Sequence, residues 1–237
     1  MIPWVGGLLL AMAMAACGGG GEADFTARPI SDADLGTMAV YEVDLPDEFA
    51  GFVRTGESGF KTNEQSAEKH FDPTDEAQDL ERFGQVREYI RAYRPPPVDG
   101  LMPQEEAISF VSGVRLFEDP QGASGYLDDE LADIEGSVGK DMDGATVEEV
   151  ERFKVGGIAD EAAGVRATLV FGDDGSERPA HGTQVYFRRG RLLFSIAVIR
   201  MDDKDVSAEL ELLARSLDER IHVVLKATPV AGPPITP

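Results

Sequence analysis

The sequence predicts an α+β fold, in which a largely antiparallel sheet carries two main helices packed on one face. Runs of alternating apolar residues joined by short turns predict the strands, and only a few helical segments interrupt them. This order favours an antiparallel sheet over alternating β-α-β units. The chain has 237 residues, which is enough to bury a sizeable core even without its terminal segments.

Eight segments have the alternation or the β-rich composition of strands. They are 40–44, 49–54, 86–93, 107–117, 147–155, 165–171, 183–188 and 191–200. Arg189 and Gly190 join the last two as a hairpin, with glycine where a positive φ is required. The run from Leu192 to Ile199 is almost wholly apolar, which predicts a central strand covered on both faces.

Two long helices follow runs of strands. Asp119 and Pro120 begin the first, because aspartate accepts hydrogen bonds from free N–H groups and proline suits the first helical position. Apolar residues recur at helical spacing up to Ile134, and again over 206–224, which predicts the second helix. The repeated strands-then-helix order suggests a faint duplication, although strand–turn–helix units are also common by chance.

The balance of charge is strongly acidic. The 44 acidic residues outnumber the 22 basic ones and give a net charge of −22. A chain of this charge repels the phosphate backbone, so nucleic acid is excluded as a partner. It also repels anionic lipid. The acidity indicates either solubility and adaptation to salt or, as the alternative, a cationic partner.

The N-terminus carries the one specific motif of the chain. The stretch 2–16 has no charge and is mostly apolar, and Cys17, the single cysteine, follows Met14-Ala15-Ala16. Small residues before a lone cysteine at the end of a short apolar run resemble the lipobox of bacterial lipoproteins. A membrane-spanning helix needs about 20 apolar residues, so this run is too short and too interrupted to be one. An ordinary cleaved signal peptide remains the alternative.

The resemblance implies that residues 1–16 are removed and that Cys17 receives a diacylglycerol and an amide-linked acyl chain such as palmitate. The protein would then work outside the cytoplasmic membrane, anchored to the membrane by lipid. An aspartate directly after the lipidated cysteine resembles a signal for retention in the inner membrane, and here that position is Gly18. The resemblance therefore implies the outer membrane if the cell has two membranes.

The chain therefore divides into four parts. They are a signal peptide (1–16), a flexible tether rich in small residues (17–36), a single α+β domain (37–226) and a proline-rich tail (227–237). In layout the domain resembles small α+β sensor and lipoprotein domains of bacterial envelopes. That resemblance transfers no active site.

The sequence contains no assembled catalytic or metal motif. His70, His181 and His222 are not in a two-histidine metal spacing, and Gly139 to Gly144 lacks the acidic ligands of a calcium loop. We therefore expect no metal and no cofactor, and a non-enzymatic module that binds a small molecule, a peptide or an envelope protein. The alternatives are an envelope hydrolase with an unrecognised triad and a purely structural envelope protein.

One set of residues suggests a ligand site. Four side chains share a face of the strand at 86–94, and a fifth lies on a neighbouring strand; they are Arg87, Tyr89, Arg91, Tyr93 and Arg115. Guanidinium groups beside phenol rings can bind carboxylate, phosphate or sugar. The polar connection 55–84, which contains a predicted helix at 74–82, is placed to close over them as a lid. The alternative is a sheet face whose long side chains pack against one another.

Overall fold

The α+β class is confirmed. In the computed structural model the described residues are 28–68, 72–96, 109–142, 145–172 and 178–226. The predicted signal peptide, Cys17, the proline-rich tail and His70 lie outside them. Within these ranges every strand pairing is antiparallel, and no helix is long and apolar enough to cross a lipid bilayer.

The strands of the described residues form one sheet. In chain order they are β1 (Val53–Arg54), β2 (Gly59–Lys61), β3 (Gln85–Arg94), β4 (Ser109–Phe117), β5 (Asp141–Met142), β6 (Ala145–Phe153), β7 (Glu161–Phe171), β8 (Arg178–Arg189) and β9 (Leu192–Arg200). Their spatial order is β1-β3-β4-β9-β8-β7-β6-β5, and β2 also pairs with β3. The predicted hairpin is confirmed, with Gly190 at φ +56° in the turn between β8 and β9.

Five α-helices lie among the described residues. They are α1 (Asp32–Met38), α2 (Asn63–Ala67), α3 (Pro73–Arg82), α4 (Pro120–Gly136) and α5 (Ser207–Lys226). The beginnings of α3 and α4 follow the same rule, because in each an aspartate caps the helix and proline occupies its first turn. Asp119 does so as predicted, and Asp72 does so for α3.

The prediction that both main helices share one face is wrong. Helix α5 packs against Val185 and Phe187 of β8, whereas α4 packs in the cluster that contains Tyr186. Neighbouring residues of a strand point to opposite faces, so the two helices cover opposite sides of the sheet. We call the side of α1 and α5 the first face and the side of α3 and α4 the second face.

The physical reason lies in the central strands. The apolar run of β9 points Phe194 and Ile196 to the first face and Leu193 to the second, and all three are buried. Each face therefore needs a cover of its own. Both halves of the chain do follow the predicted order of strands and then a helix, but their helices lie on opposite sides.

The predicted tether and the first predicted strand also need correction. Residues 28–36 are part of the fold, because Ile30 and Leu35 are buried in the first-face core. Ser31 caps α1, and small polar residues that read as a linker serve here as helix caps. The segment 40–44 contains a 3-10 helix rather than a strand. Of the predicted strand 49–54, only the two residues of β1 pair with the sheet.

Candidate functional site

A cavity of about 410 Å³ opens on the second face, between the sheet and the helices α3 and α4. Its floor consists of side chains of β6, β7, β8 and β9, and α3 and the end of α4 form its walls. The sheet residues that line it, on β6 to β9, are Val147, Val165, Ala167, Leu169, Gly182, Thr183, Gln184, Ala197, Val198 and Ile199. A volume of this size lies in the range of small-molecule sites, which are roughly 300–1,000 Å³.

The cavity exists because the floor residues are small. Ala167 and Gly182 are cross-strand partners at its centre, and Ala197 lies on the next strand, opposite Gln184. Further along the same face, beneath α4, Tyr186 fills the corresponding space. A Cβ added to Gly182 would meet only Ala167, at 3.8–4.0 Å, so the space above this glycine is open. Side-chain size therefore decides where the sheet is covered and where it is hollow.

Acidic side chains form one rim of the cavity. Asp72, which caps α3, and Asp75, Glu76 and Asp79 on that helix line this rim, and Asp133 lies opposite on α4. Lys140 is the one basic residue among the described residues that line the cavity. The site thus combines an apolar floor with a negatively charged wall.

Three carboxylates come close together at this rim. The oxygens of Asp79, Asp129 and Asp133 lie within 4.8 Å of one another. Arg82 contacts Asp79 and Asp129 at 2.9 Å each, so its guanidinium already supplies a positive charge to two of the three. Burial raises the pKa of Asp79; Arg82 opposes this, and the neighbouring aspartates add to it. Among the described residues, these three are the acidic side chains whose oxygens lie close enough together to contact one cation.

A buried ionic cluster lies beside the cavity at Glu76. Arg115 contacts Glu88 at 2.9 Å and Glu76 at 3.5 Å, and its side chain is 17% exposed. Its guanidinium also donates to the hydroxyl of Tyr126. Burial alone would lower the pKa of Arg115, but the surrounding carboxylates hold it well above its ordinary value. The guanidinium therefore stays charged, and its contact with Glu76 holds α3, which forms the wall of the cavity, against the sheet.

Two tyrosines complete this cluster. The Tyr126 hydroxyl lies 2.9 Å from Glu76 and 3.0 Å from Glu130, and Tyr186 donates to Glu130 at 2.8 Å. Burial raises the pKa of both phenols well above the ordinary value; the nearby carboxylates add to this, and Arg115 opposes it. Both tyrosines are therefore neutral donors at physiological pH. A phenol carries one proton, so Tyr126 donates to one carboxylate at a time.

The residues predicted to bind a ligand occupy a closed part of the first face. Arg91 donates to the carbonyl oxygens of Gly36 at 2.7 Å and Val40 at 2.9 Å. Tyr93 also donates to Val40 at 2.7 Å, and its side chain is buried. Tyr89 is buried in the same core. The end of α1 and the residues after it thus cover this face, so the predicted cleft is absent from the described part of the strand.

Arg87 and Arg115 differ in the face of the sheet on which they lie. Arg87 points to the first face as predicted, where it pairs with Asp32 at 3.2 Å and lies over the ring of Phe60. Arg115 lies on the second face, because it is the cross-strand partner of Glu88 and not of Arg87. The prediction that Arg115 joins the other four is therefore wrong.

The connection 55–84 has a different role from the predicted lid. It adds β2 to the edge of β3 and then places α2 and α3 on the second face. The predicted helix is confirmed as α3, and that helix forms the acidic wall of the cavity. The prediction that this segment borders a cavity thus agrees with the structure, but the cavity lies on the second face and not on the predicted first face.

Sequence reasoning missed the cavity itself. The signal was present in the small residues Ala167, Gly182 and Ala197, but only the strand register places them side by side. The acidic residues at i, i+3, i+4 and i+7 of α3 were visible as one helix face. Of the two remaining histidines, His181 lines a second, polar cavity of about 170 Å³, and His222 lies on α5.

Comparison with known proteins defines the fold only. No family model matches the chain, and no curated protein matches it. Among solved structures it is similar to the extracellular domain of PknH from Mycobacterium tuberculosis, with a TM-score of 0.50 and 9% sequence identity. That match covers 83% of this chain and 98% of the other.

A second match is to a protein of unknown function from Pseudomonas aeruginosa. It has 12% identity and a TM-score of 0.22, and it covers 59% of this chain and 91% of the other. At this level of similarity it supports no argument about fold or function. The first match, at 9% identity, shows a shared fold and no more than that.

Proposed function

We propose that the protein is a lipid-anchored, extracytoplasmic binding module whose second-face cavity holds the apolar part of a small ligand. The cavity carries this proposal, because an apolar hollow of about 410 Å³ is bordered by a few charged groups. Ligand sites combine these two features, since apolar walls supply the affinity and a few polar groups fix the orientation.

The location is supported by two independent observations. The segment that ends at Cys17 resembles a lipobox, and the fold is shared with a domain described as extracellular. Ten residues separate Cys17 from Arg28, the first residue described in the fold, so the connection spans eleven residue-to-residue steps. At roughly 3.5 Å per extended residue, that segment would hold the domain within about 40 Å of the membrane surface.

The binding proposal is tested by filling the cavity. Gly182→Leu places an isobutyl group above Ala167, where a Cβ meets only ordinary contacts. The probe is N,N-dimethyldecylamine N-oxide, an alkyl compound without net charge at mildly alkaline pH, and binding is measured by calorimetry. We expect the purified protein to bind it and Gly182→Leu to bind it at least about tenfold more weakly, a loss of about 1.4 kcal/mol.

A matched control is available at Gly56, where an added Cβ meets nothing within 4 Å and no positive φ is required. Gly56→Leu introduces the same side chain away from the cavity and should leave the affinity unchanged. Equal affinity of the native protein and Gly182→Leu would refute binding in this cavity.

The anchor is tested by metabolic labelling with a fatty-acid analogue. The full chain should incorporate the label and Cys17→Ser should not. Equal labelling of the two would show that Cys17 is not the attachment site. If the native chain is labelled and Cys17→Ser is not, fractionation of a host with two membranes would show whether the lipoprotein with Gly18 reaches the outer membrane.

A further inference from the structure

We infer that the cavity selects ligands that join an apolar chain to a cationic head group. This inference rests on the proposed function and adds to it the chemical class of the ligand. It is carried by the distribution of charge around the cavity: the floor is apolar, and the carboxylates are concentrated on the helical wall.

The acidic wall is built at a cost to its own helix. Asp72 caps α3, and Asp75, Glu76 and Asp79 lie on the helix, where Asp79 neighbours Asp75 at i, i+4 and Glu76 at i, i+3. Like charges at these spacings destabilise a helix. Asp72 and Asp75 precede or open the helix, where negative charge is favourable, but Asp79 lies near its end.

Part of this charge is already neutralised within the protein. Glu76 contacts Arg115, and Asp79 contacts Arg82. In contrast, neither Asp75 nor Asp133 forms an ion pair with any residue that the structure describes, and both are exposed at the rim. Asp72 also lacks an ion pair among the described residues, but its carboxylate accepts hydrogen bonds from the backbone of Thr74 and Asp75 as the cap of α3. Asp75 and Asp133 are therefore the rim carboxylates best placed to receive a charge from a ligand.

The apolar floor argues for an organic cation. A divalent metal requires several oxygen ligands in a closed geometry, whereas most side chains of the floor are apolar and only Thr183 and Gln184 among them carry an oxygen. An alkyl chain fits that floor, and an ammonium group at its end would reach the water-filled rim. Opposite charge at the rim favours such a ligand over its neutral and anionic analogues, because like-charge contacts oppose binding.

The experiment compares three probes that share a decyl chain. They are decyltrimethylammonium, N,N-dimethyldecylamine N-oxide and decanoate, titrated by calorimetry into the purified protein below their micellar concentrations at physiological salt. We expect the affinity to fall in that order, with the cation about three- to tenfold tighter than the N-oxide, as a few partly screened charge contacts would give.

The rim is tested by Asp75→Asn combined with Asp133→Asn. This double variant should lower the affinity for the cation by about three- to tenfold and leave the affinity for the N-oxide unchanged. The control is Asp47→Asn combined with Glu219→Gln, which removes the same charge from segments that pack on the first face. It should leave the order and the ratios intact.

The outcomes separate the two proposals. Binding of the N-oxide without a preference for the cation would overturn the charge selectivity and leave the cavity as a binding site. A preference that persists in the rim variant would also overturn it, because net charge alone would then account for the selectivity. Failure of all three probes to bind would instead overturn the proposed function.

Discussion

Arg91 donates a hydrogen bond of 2.7 Å to the carbonyl oxygen of Gly36, which lies in the last turn of α1. The same guanidinium reaches the carbonyl of Val40 at 2.9 Å and lies 3.8 Å from the ring centre of Tyr41. It therefore supplies a donor to the carbonyl of Gly36 at the end of a short helix, and it shares the carbonyl of Val40 with the hydroxyl of Tyr93. A residue with the chemistry of a ligand-binding group thus holds the N-terminal segment on the sheet.

We predict that Arg91→Met destabilises the protein without changing binding in the cavity. The substitution removes the hydrogen bond to the Gly36 carbonyl and one of the two to the Val40 carbonyl, and hydrogen bonds to a charged group contribute about 1.5–3 kcal/mol each. Urea unfolding should therefore show a loss of about 2–4 kcal/mol, with faster hydrogen exchange over residues 30–45. Unchanged stability together with weaker binding of a ligand would restore the role predicted from the sequence.

Arg115 provides a second test, within the buried cluster. Arg115→Met should destabilise the fold by about 3 kcal/mol, because it leaves Glu76 and Glu88 as uncompensated buried carboxylates. Adding Glu88→Gln should recover part of that loss, since one of the stranded charges disappears. A double-mutant cycle measured by urea unfolding checks this. Strict additivity of the two changes would contradict a direct ion pair.

Two glycines of α4 are predicted to respond in opposite directions. A Cβ at Gly122 would lie 2.1 Å from the carbonyl oxygen of Phe83, whereas one at Gly136 meets nothing within 4 Å. Gly122→Ala should destabilise the protein by about 1–3 kcal/mol through overpacking. Gly136→Ala should be neutral or stabilise it by up to about 1 kcal/mol, because alanine is the better helix former. Equal melting temperatures for the two variants would contradict the close approach of α4 to Phe83.

Ser31 and Asp34 form a capping box at the start of α1, in which each side chain accepts a hydrogen bond from the backbone N–H of the other. This box should make stability depend on acid pH. Burial raises the pKa of Asp34, but hydrogen bonds from Arg28 and Ser31 outweigh it, and the net pKa is below the ordinary value of 3.8. The carboxylate therefore stabilises the native state above about pH 3.8, and this contribution is lost as the pH falls through the lower pKa of the folded state.

Asp34→Asn should cost about 1 kcal/mol at neutral pH, the usual scale of a helix cap. The difference from the native protein should shrink as the pH falls below 3.8. Asp32→Asn is the control, because this side chain is 44% exposed and pairs with Arg87 at the surface. A difference for Asp34→Asn that is constant across the acid range would contradict a charged cap.

The parts of the fold that follow from local physics were predictable. The caps at Asp119 and Pro120 and the apolar run of β9 act within a few residues, so the sequence indicates them directly. The segment 28–36 was misread because its small polar residues have the composition of a linker. Its role depends on Ile30 and Leu35 meeting the sheet, which is a contact distant in the chain.

The candidate site was less predictable for a physical reason. Alternation places Tyr89, Arg91 and Tyr93 on one face, as the structure confirms, but it does not say what covers that face. The cavity depends on which strands are neighbours, because Ala167 and Gly182 meet only through the pairing of β7 with β8. Strand order is a property of the whole sheet, and one sequence does not contain it in any local pattern.

The most direct test of a ligand site on the second face is an NMR titration of the ¹⁵N-labelled protein with decyltrimethylammonium. If the account is right, saturable amide shift changes will concentrate at the cavity floor, at Ala167, Gly182 and Ala197. The first-face residues Tyr89 and Arg91 will remain unshifted. Saturable shifts at Tyr89 and Arg91 with none at the floor would contradict it.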